Sequence, residues 1–88
     1  MQNLEGRLYV MIFERIRDAL AAQFETSPEK ITRETDIMSD LGADSLDLVE
    51  LIMTLEEEYG ISVVDDSVYD NKTVGEIADF IESLVKNS

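Results

Sequence analysis

The stretch that decides the fold runs from Asp40 to Tyr59 and reads D-L-G-A-D-S-L-D-L-V-E-L-I-M-T-L-E-E-E-Y. Gly42 weakens any helix that precedes it, and Asp44 is a residue type favoured at a helix N-cap. Asp47 stands at the capping-box spacing from Asp44, where its charge also suits the positive end of a helix. The sequence therefore predicts a helix that begins at Ser45.

Ser45 occupies the first position of this predicted helix. The backbone N–H groups of a first turn have no partner inside the helix, and with the helix dipole they favour an anion at this end. A hydroxyl group at such a turn is better placed to carry a phosphate than to be buried. Serine is also common at helix starts, so the position alone does not assign a function.

The predicted helix has two apolar stripes. At about 100° per residue, the wider stripe suits the core and contains Leu48, Leu51, Ile52, Leu55 and Tyr59. The second stripe lies about 140° away by the same arithmetic and contains Leu46, Val49 and Met53. Acidic residues surround it, namely Asp47, Glu50, Glu56 and Glu57. This arrangement is typical of a docking surface; the alternative, a second contact within the same domain, is disfavoured by the carboxylates.

Composition limits the kinds of function. The 88 residues are enough for one small domain, and a hydrophobic content of 44% is enough for a core. A net charge of −13 argues against nucleic acid and anionic membranes as partners, and it favours a monomer that meets basic proteins. The alternative is that the acidity serves only solubility. No membrane-length or secretory segment is evident, so the default location is cytoplasmic.

Catalytic and metal-binding chemistry find little support. The chain has no cysteine and no histidine, and its three lysines, Lys30, Lys72 and Lys86, stand in no Ser–Lys motif. A hydroxyl without a neighbouring base is a weak nucleophile, so we do not expect an enzyme. An EF-hand register also fails, because Met38 or Leu51 would occupy a ligand position, and we expect no specific metal site.

The whole chain predicts an all-α fold, a small four-helix bundle with three longer helices, a short third helix and a long first loop. The first helix has one apolar face of Tyr9, Phe13, Ile16, Leu20 and Phe24, with Ile12 at its edge. The loop from Glu25 to Asp36 contains Pro28, which suits a short helical turn, and its expected anchors into the core are Ile31, Ile37, Met38 and Leu41.

The second half of the chain has its own helix signals. Gly60 fits the residue after a helix, and a short third helix is expected over Asp65 to Tyr69 with Val68 facing inward. Thr73 and Glu76 have the spacing of a capping box. The final helix then follows with an apolar face of Ile77, Phe80, Ile81 and Leu84.

These residues resemble a known family. D-L-G-A-D-S-L-D, followed by V-E-L and L-E-E-E-Y, is closely similar to the acyl carrier proteins of bacterial fatty-acid and polyketide synthesis. The resemblance covers nearly the whole chain and implies one acyl carrier domain over residues 1–88. It implies that Ser45, flanked by Asp44 and Leu46, carries a 4′-phosphopantetheine arm that a phosphopantetheinyl transferase moves from coenzyme A. The arm would supply the thiol that the chain lacks and hold acyl groups as thioesters.

The resemblance also implies partners. We expect acyl-transferring and chain-extending enzymes with basic docking patches to meet the second stripe, and their docking residues to be Asp44, Val49, Glu50, Met53, Glu56 and Glu57. Asp40 and Asp47 should frame the approach to Ser45. Acyl chains would be sheltered between the helices, near the short third helix.

The resemblance loosens near the short third helix. Val64 stands where the family commonly has proline, and Asn71 where it has an apolar residue, so the cargo and its length stay open. Tyr69 is a candidate to fill the space that an apolar residue at 71 would occupy. Two other functions also stay open: a peptidyl or aminoacyl carrier, such as a D-alanyl carrier, and an acidic interaction domain that never receives an arm.

Overall fold

The computed structural model describes residues 4–64 and 66–87, with side chains from Gly6 onward. Within these ranges it has four α-helices: α1 (Leu4–Gln23), α2 (Ile37–Leu41), α3 (Ser45–Tyr59) and α4 (Val74–Asn87). Two 3-10 helices, Pro28–Lys30 and Asp66–Asp70, lie in the connections, and the described ranges contain no strand. The expected all-α bundle with three longer helices is confirmed.

Two short elements differ in detail from the sequence prediction. The short third helix is a 3-10 helix over Asp66–Asp70, and Val68 is fully buried in it, as expected. The long first connection is not irregular throughout, because it ends in the five-residue helix α2. Asp36 caps α2 by accepting a hydrogen bond from the Ser39 N–H at 2.7 Å, and Gly42 ends it in the left-handed conformation with φ of 76°.

The core lies where α1, α3 and α4 meet. On α1 the fully buried row is Ile12, Ile16 and Leu20, whereas the aromatic residues Tyr9, Phe13 and Phe24 are only half-buried. The buried row of α1 therefore includes Ile12, which was expected only at the edge, and the aromatic residues lie at its margin. The other helices contribute most of the expected rows as buried residues, namely Leu48, Leu51, Ile52 and Leu55 on α3 and Ile77 and Ile81 on α4. The remaining expected members, Tyr59, Phe80 and Leu84, are half-buried against this core.

The first connection is pinned to the N-terminal end of α4. The Gly75 N–H donates to the Arg33 carbonyl at 2.9 Å, and the Val74 N–H donates to the Thr35 carbonyl at 3.0 Å. The Arg33 guanidinium lies over the Tyr9 ring, hydrogen-bonds its hydroxyl and pairs with Asp79. These contacts fix the path that leads the chain into α2 and α3.

Of the four apolar anchors expected between Ile31 and Leu41, three contact the core. Ile31 and Ile37 are buried, and Leu41 is half-buried against the core. Met38 is not a core anchor, because 45% of its surface is exposed. It is the second residue of α2, and Ile37 is the buried residue of that short helix.

Candidate functional site at the start of α3

The helix α3 begins at Ser45, as the sequence predicts, because a reciprocal capping box closes its first turn. Asp44 Oδ1 accepts from the Asp47 N–H at 2.9 Å, and Asp47 Oδ2 accepts from the Asp44 N–H at 3.0 Å. The Leu48 N–H donates to the Asp44 carbonyl at 3.2 Å. Three hydrogen bonds thus hold the first turn of the helix, and they fix the backbone conformation of Ser45 and Leu46, which lie between the two aspartates.

Ser45 lies on this tip and is exposed to solvent. Within the described part of the chain, neither its N–H nor that of Leu46 donates to a protein acceptor. Two backbone donors at the positive end of a helix therefore stand beside an exposed hydroxyl, a geometry that suits a phosphate ester at the Ser45 oxygen. The 4′-phosphopantetheine arm that the family resemblance implies is therefore compatible with the residues at this helix start.

The structure gives Asp47 and Asp40 structural contacts that sequence reasoning missed. Asp47 uses both carboxylate oxygens, since Oδ1 also accepts from Gln23 Nε2 at 2.9 Å. Asp40 Oδ2 accepts from the Asp36 N–H at 2.7 Å and completes the N-terminal cap of α2. Asp40 precedes and Asp47 follows Ser45 along the chain, and the hydrogen bonds of both side chains make them part of the scaffold.

The second stripe lies on the surface. Leu46 is 65% exposed and Met53 is 57% exposed, while Val49 between them is half-buried. Glu50 and Glu57 are exposed beside the stripe. Since its two outer members remain open, Leu46 and Met53 do not form the second intramolecular contact that was the alternative for this stripe.

Glu56 has a different environment from its neighbours. It is half-buried, and its Oε2 accepts a hydrogen bond from the Val63 N–H at 2.6 Å. The bond ties the segment after α3 back onto the helix. Glu56 therefore stabilises the connection toward Asp66–Asp70, a role that the helix period alone did not indicate.

A cavity of about 490 Å³ opens beside the first turn of α3, between α2 and the segment around Asp66–Asp70. Its floor is apolar, because Ile37 and Leu48 are buried core residues. Leu48 lies one helical turn after Ser45, so the cavity reaches the first turn of the helix that Ser45 begins. The rest of the lining comes from Asp36, Met38, Ser39, Tyr69, Asp70, Asn71 and Lys72.

Two further properties of the described residues bear on function. In residues 4–64 and 66–87 there is no group of three or more acidic, histidine or cysteine side chains placed to hold a metal ion. Among the helices in these ranges, none combines the length and the apolar character needed to cross a membrane.

A small helical bundle with an exposed serine at a capped helix start has the form of a carrier domain. A family model described as a phosphopantetheine attachment site matches residues 14–81, so the class is that of carriers bearing a phosphopantetheine arm. Similar proteins include the acyl carrier protein of Trieres chinensis, 49% identical over 71 residues that cover 81% of this chain and 89% of that protein. The acyl carrier protein of Lactobacillus acidophilus is 46% identical over 72 residues that cover 82% of this chain and 90% of that protein.

A solved structure agrees with the sequence relatives. The acyl carrier protein from Enterococcus faecalis matches with a TM-score of 0.74 at 26% identity, covering 86% of this chain and 96% of that one. The chain belongs to the acyl carrier protein family, and its function is to carry acyl intermediates on phosphopantetheine.

Proposed function

We propose that the Ser45 oxygen is the attachment atom for 4′-phosphopantetheine and that the chain delivers acyl thioesters from this point to enzymes of fatty-acid, polyketide or related lipid synthesis. The observation that carries the proposal is the exposed Ser45 hydroxyl at the first position of α3, beside two backbone N–H groups without a protein acceptor in the described residues. The phosphate would sit where the helix favours negative charge.

The attachment reaction requires a separate enzyme. An ester bond forms between Ser45 Oγ and the phosphorus that bears pantetheine, the pyrophosphate bond of coenzyme A breaks, and adenosine 3′,5′-bisphosphate leaves. The serine proton must pass to a base, and the chain has no histidine to accept it. We therefore assign the base to a phosphopantetheinyl transferase and the acceptor oxygen to this chain, which itself is not an enzyme.

The bound arm supplies a thiol for thioester formation, which a chain without cysteine cannot provide. The chain's own residues would position the attachment oxygen and shelter the acyl chain. The capping box of Asp44 and Asp47 holds the direction in which the Ser45 oxygen points, and Leu46 presents an apolar side chain next to it. The cavity over Ile37 and Leu48 is the space in which an acyl chain would be kept from water.

The second stripe is the proposed docking surface. Its exposed apolar centre at Leu46, Val49 and Met53 would be desolvated by a partner, while Glu50 and Glu57 would attract basic side chains at the rim. Asp40, Asp44, Asp47 and Glu56 add negative charge around it. With a net charge of −13, the chain should act as a monomer in the cytoplasm and meet several basic enzymes in turn.

Intact mass spectrometry tests the attachment site. The native chain, incubated with coenzyme A and a phosphopantetheinyl transferase, should gain the mass of one arm, and Ser45→Ala should gain none. Ser39→Ala is the matched control, because Ser39 is another exposed serine near a helix start and should leave the mass gain unchanged. A native chain that is never modified would instead support the unmodified interaction domain.

A further inference from the structure

The cavity beside Ser45 has an apolar floor and also a polar wall, which consists of the lining residues Ser39, Asn71 and Lys72. Ile37 and Leu48 form the floor, whereas Ser39, Asn71 and Lys72 contribute a hydroxyl, an amide and an ammonium group to the lining. An unbranched saturated chain that filled this space would cover those groups without giving them a hydrogen bond. Such uncompensated burial is unfavourable, so the wall disfavours a purely hydrocarbon occupant.

Asn71 is the residue whose hydrogen bonding is best defined. Its Nδ2 donates to the Val68 carbonyl at 3.1 Å and closes the 3-10 helix Asp66–Asp70. Because a carbonyl only accepts, this bond fixes the orientation of the amide and leaves Oδ1 as an acceptor. Oδ1 keeps contact with solvent, since no buried side-chain oxygen in the described residues lacks a partner. This half-buried residue is one of those that line the cavity.

The charges around the cavity argue against an anionic occupant. Asp36 and Asp70 stand with Lys72 in the lining, and Glu76 lies beside them, because its Oε1 accepts a hydrogen bond from the Lys72 N–H at 2.7 Å. A carboxylate on the cargo would meet more negative than positive charge. A neutral hydroxyl fits better, because it can donate to Asn71 Oδ1 and accept from Lys72 or Ser39. A ketone oxygen can only accept and would leave Asn71 Oδ1 unmatched.

We propose that this cavity retains acyl chains bearing a hydroxyl group in preference to saturated chains of the same length. The inference rests on attachment at Ser45, because it concerns what the attached thioester places in the adjacent space. Asn71 is its specificity-determining residue, and Lys72 supplies the complementary N–H donor.

Thioester protection measures the preference directly. The native chain is loaded with octanoyl and 3-hydroxyoctanoyl groups, and cleavage by hydroxylamine is timed for each, relative to the same thioesters on free pantetheine. A hydrogen bond gained only by the hydroxylated chain should give it at least about threefold more protection. Equal protection, or greater protection of octanoyl, would overturn the inference.

Variants locate the effect. Asn71→Leu should abolish or reverse the preference, because it replaces the acceptor with an apolar group, whereas Asn87→Leu, at the far end of α4, should leave it intact. A preference that survives Asn71→Leu would overturn the assignment of Asn71. The comparison in the native chain needs no variant, so a loss of folding in Asn71→Leu does not affect it.

Intact mass separates the two proposals. A native chain that accepts no arm at all would refute attachment at Ser45, and with it this inference. A chain that is loaded normally but protects both thioesters alike would refute the inference alone.

Discussion

The Gln23 side chain at the end of α1 donates to Asp47 Oδ1 at 2.9 Å and so ties the first helix to the first turn of the Ser45 helix. The other oxygen of Asp47 caps that turn. One carboxylate therefore aligns two helices at the point where the arm is proposed to be attached. Asp47 has a scaffold role that its neighbour Glu50, which is exposed, does not share.

This difference predicts unequal effects on stability. Asp47→Ala removes the capping box and the bond to Gln23, and should lower the free energy of unfolding by about 1–2 kcal/mol. Glu50→Ala removes an exposed charge and should change it by less than about 0.5 kcal/mol. Urea denaturation of both variants measures the two values. Equal values would show that the contacts of Asp47 do not contribute to stability.

Capping boxes are the part of this structure that sequence predicts best. Asp44 with Asp47, and Thr73 with Glu76, each form the expected reciprocal bonds, because both partners lie within one turn and the interaction is local. The start of α3 and the candidate attachment residue followed from that local rule. By contrast, α2 is five residues long, which is too short for an apolar period to reveal.

Contacts between distant segments were not predicted. The hydrogen bonds from Gln23 to Asp47 and from Val63 to Glu56 depend on where the helices and connections meet. The spacing of apolar residues along one helix carries no information about such contacts. The same reason explains why Ile12 lies in the buried row of α1 rather than at its edge. The cavity beside Ser45 combines residues from α2, α3 and the segment after α3, so its polar wall becomes visible only in three dimensions.

The substitution Gly75→Ala tests whether a steric overlap outweighs the higher helix propensity of alanine. Alanine normally favours a helix over glycine by about 1 kcal/mol. However, a Cβ at Gly75 would lie 2.7 Å from Arg33 Cβ and 3.0 Å from the Arg33 carbonyl oxygen, to which the Gly75 N–H is itself bonded. We expect this overlap to dominate, so that Gly75→Ala lowers the free energy of unfolding by about 1–3 kcal/mol.

Thermal and urea denaturation measure the effect of Gly75→Ala. Ser83→Ala is the control, because Ser83 is exposed on the same helix and its replacement should be neutral or slightly stabilising. A stabilised Gly75→Ala variant would mean that the connection through Arg33 moves aside at little cost.

The lowered pKa of Glu76 predicts how the free energy of unfolding depends on pH. The backbone N–H groups of Lys72 and Thr73 donate to its carboxylate and hold its pKa below the ordinary value of 4.5. Because the folded pKa is lowered, the stabilisation is fully present above pH 4.5 and is lost as the pH falls through the folded value. The stability advantage of the native chain over Glu76→Gln should therefore shrink below that pH.

Protonation of other carboxylates in acid also reduces the repulsion among the chain's negative charges and so changes its stability. The measurement therefore needs a control variant with the same change of charge. Glu14→Gln removes one charge from an exposed position on α1. Urea denaturation of the three proteins over a pH series should show an acid-dependent difference for Glu76→Gln that Glu14→Gln does not share. Parallel curves for the two variants would indicate only loss of net charge.

The proposed docking surface predicts that its rim charges affect the association rate with a partner and that its apolar centre affects the dissociation rate. Glu50→Lys or Glu57→Lys should slow association with a basic phosphopantetheinyl transferase by roughly two- to tenfold at low salt, with less effect at high salt, because rim charges act mainly by steering. Glu14→Lys makes the same change of charge on α1 and should have a smaller effect. Surface plasmon resonance at two ionic strengths distinguishes these outcomes.

The apolar centre of the surface should act on dissociation. Met53→Ala should speed dissociation from the same transferase by more than about fivefold, since a desolvated apolar contact is lost. Met11→Ala is a close control, because Met11 is 58% exposed and Met53 is 57% exposed, but Met11 lies on α1, away from the second stripe. Equal dissociation rates for the two methionine variants would contradict the prediction. They would mean that the partner does not dock on the surface formed by Leu46, Val49 and Met53.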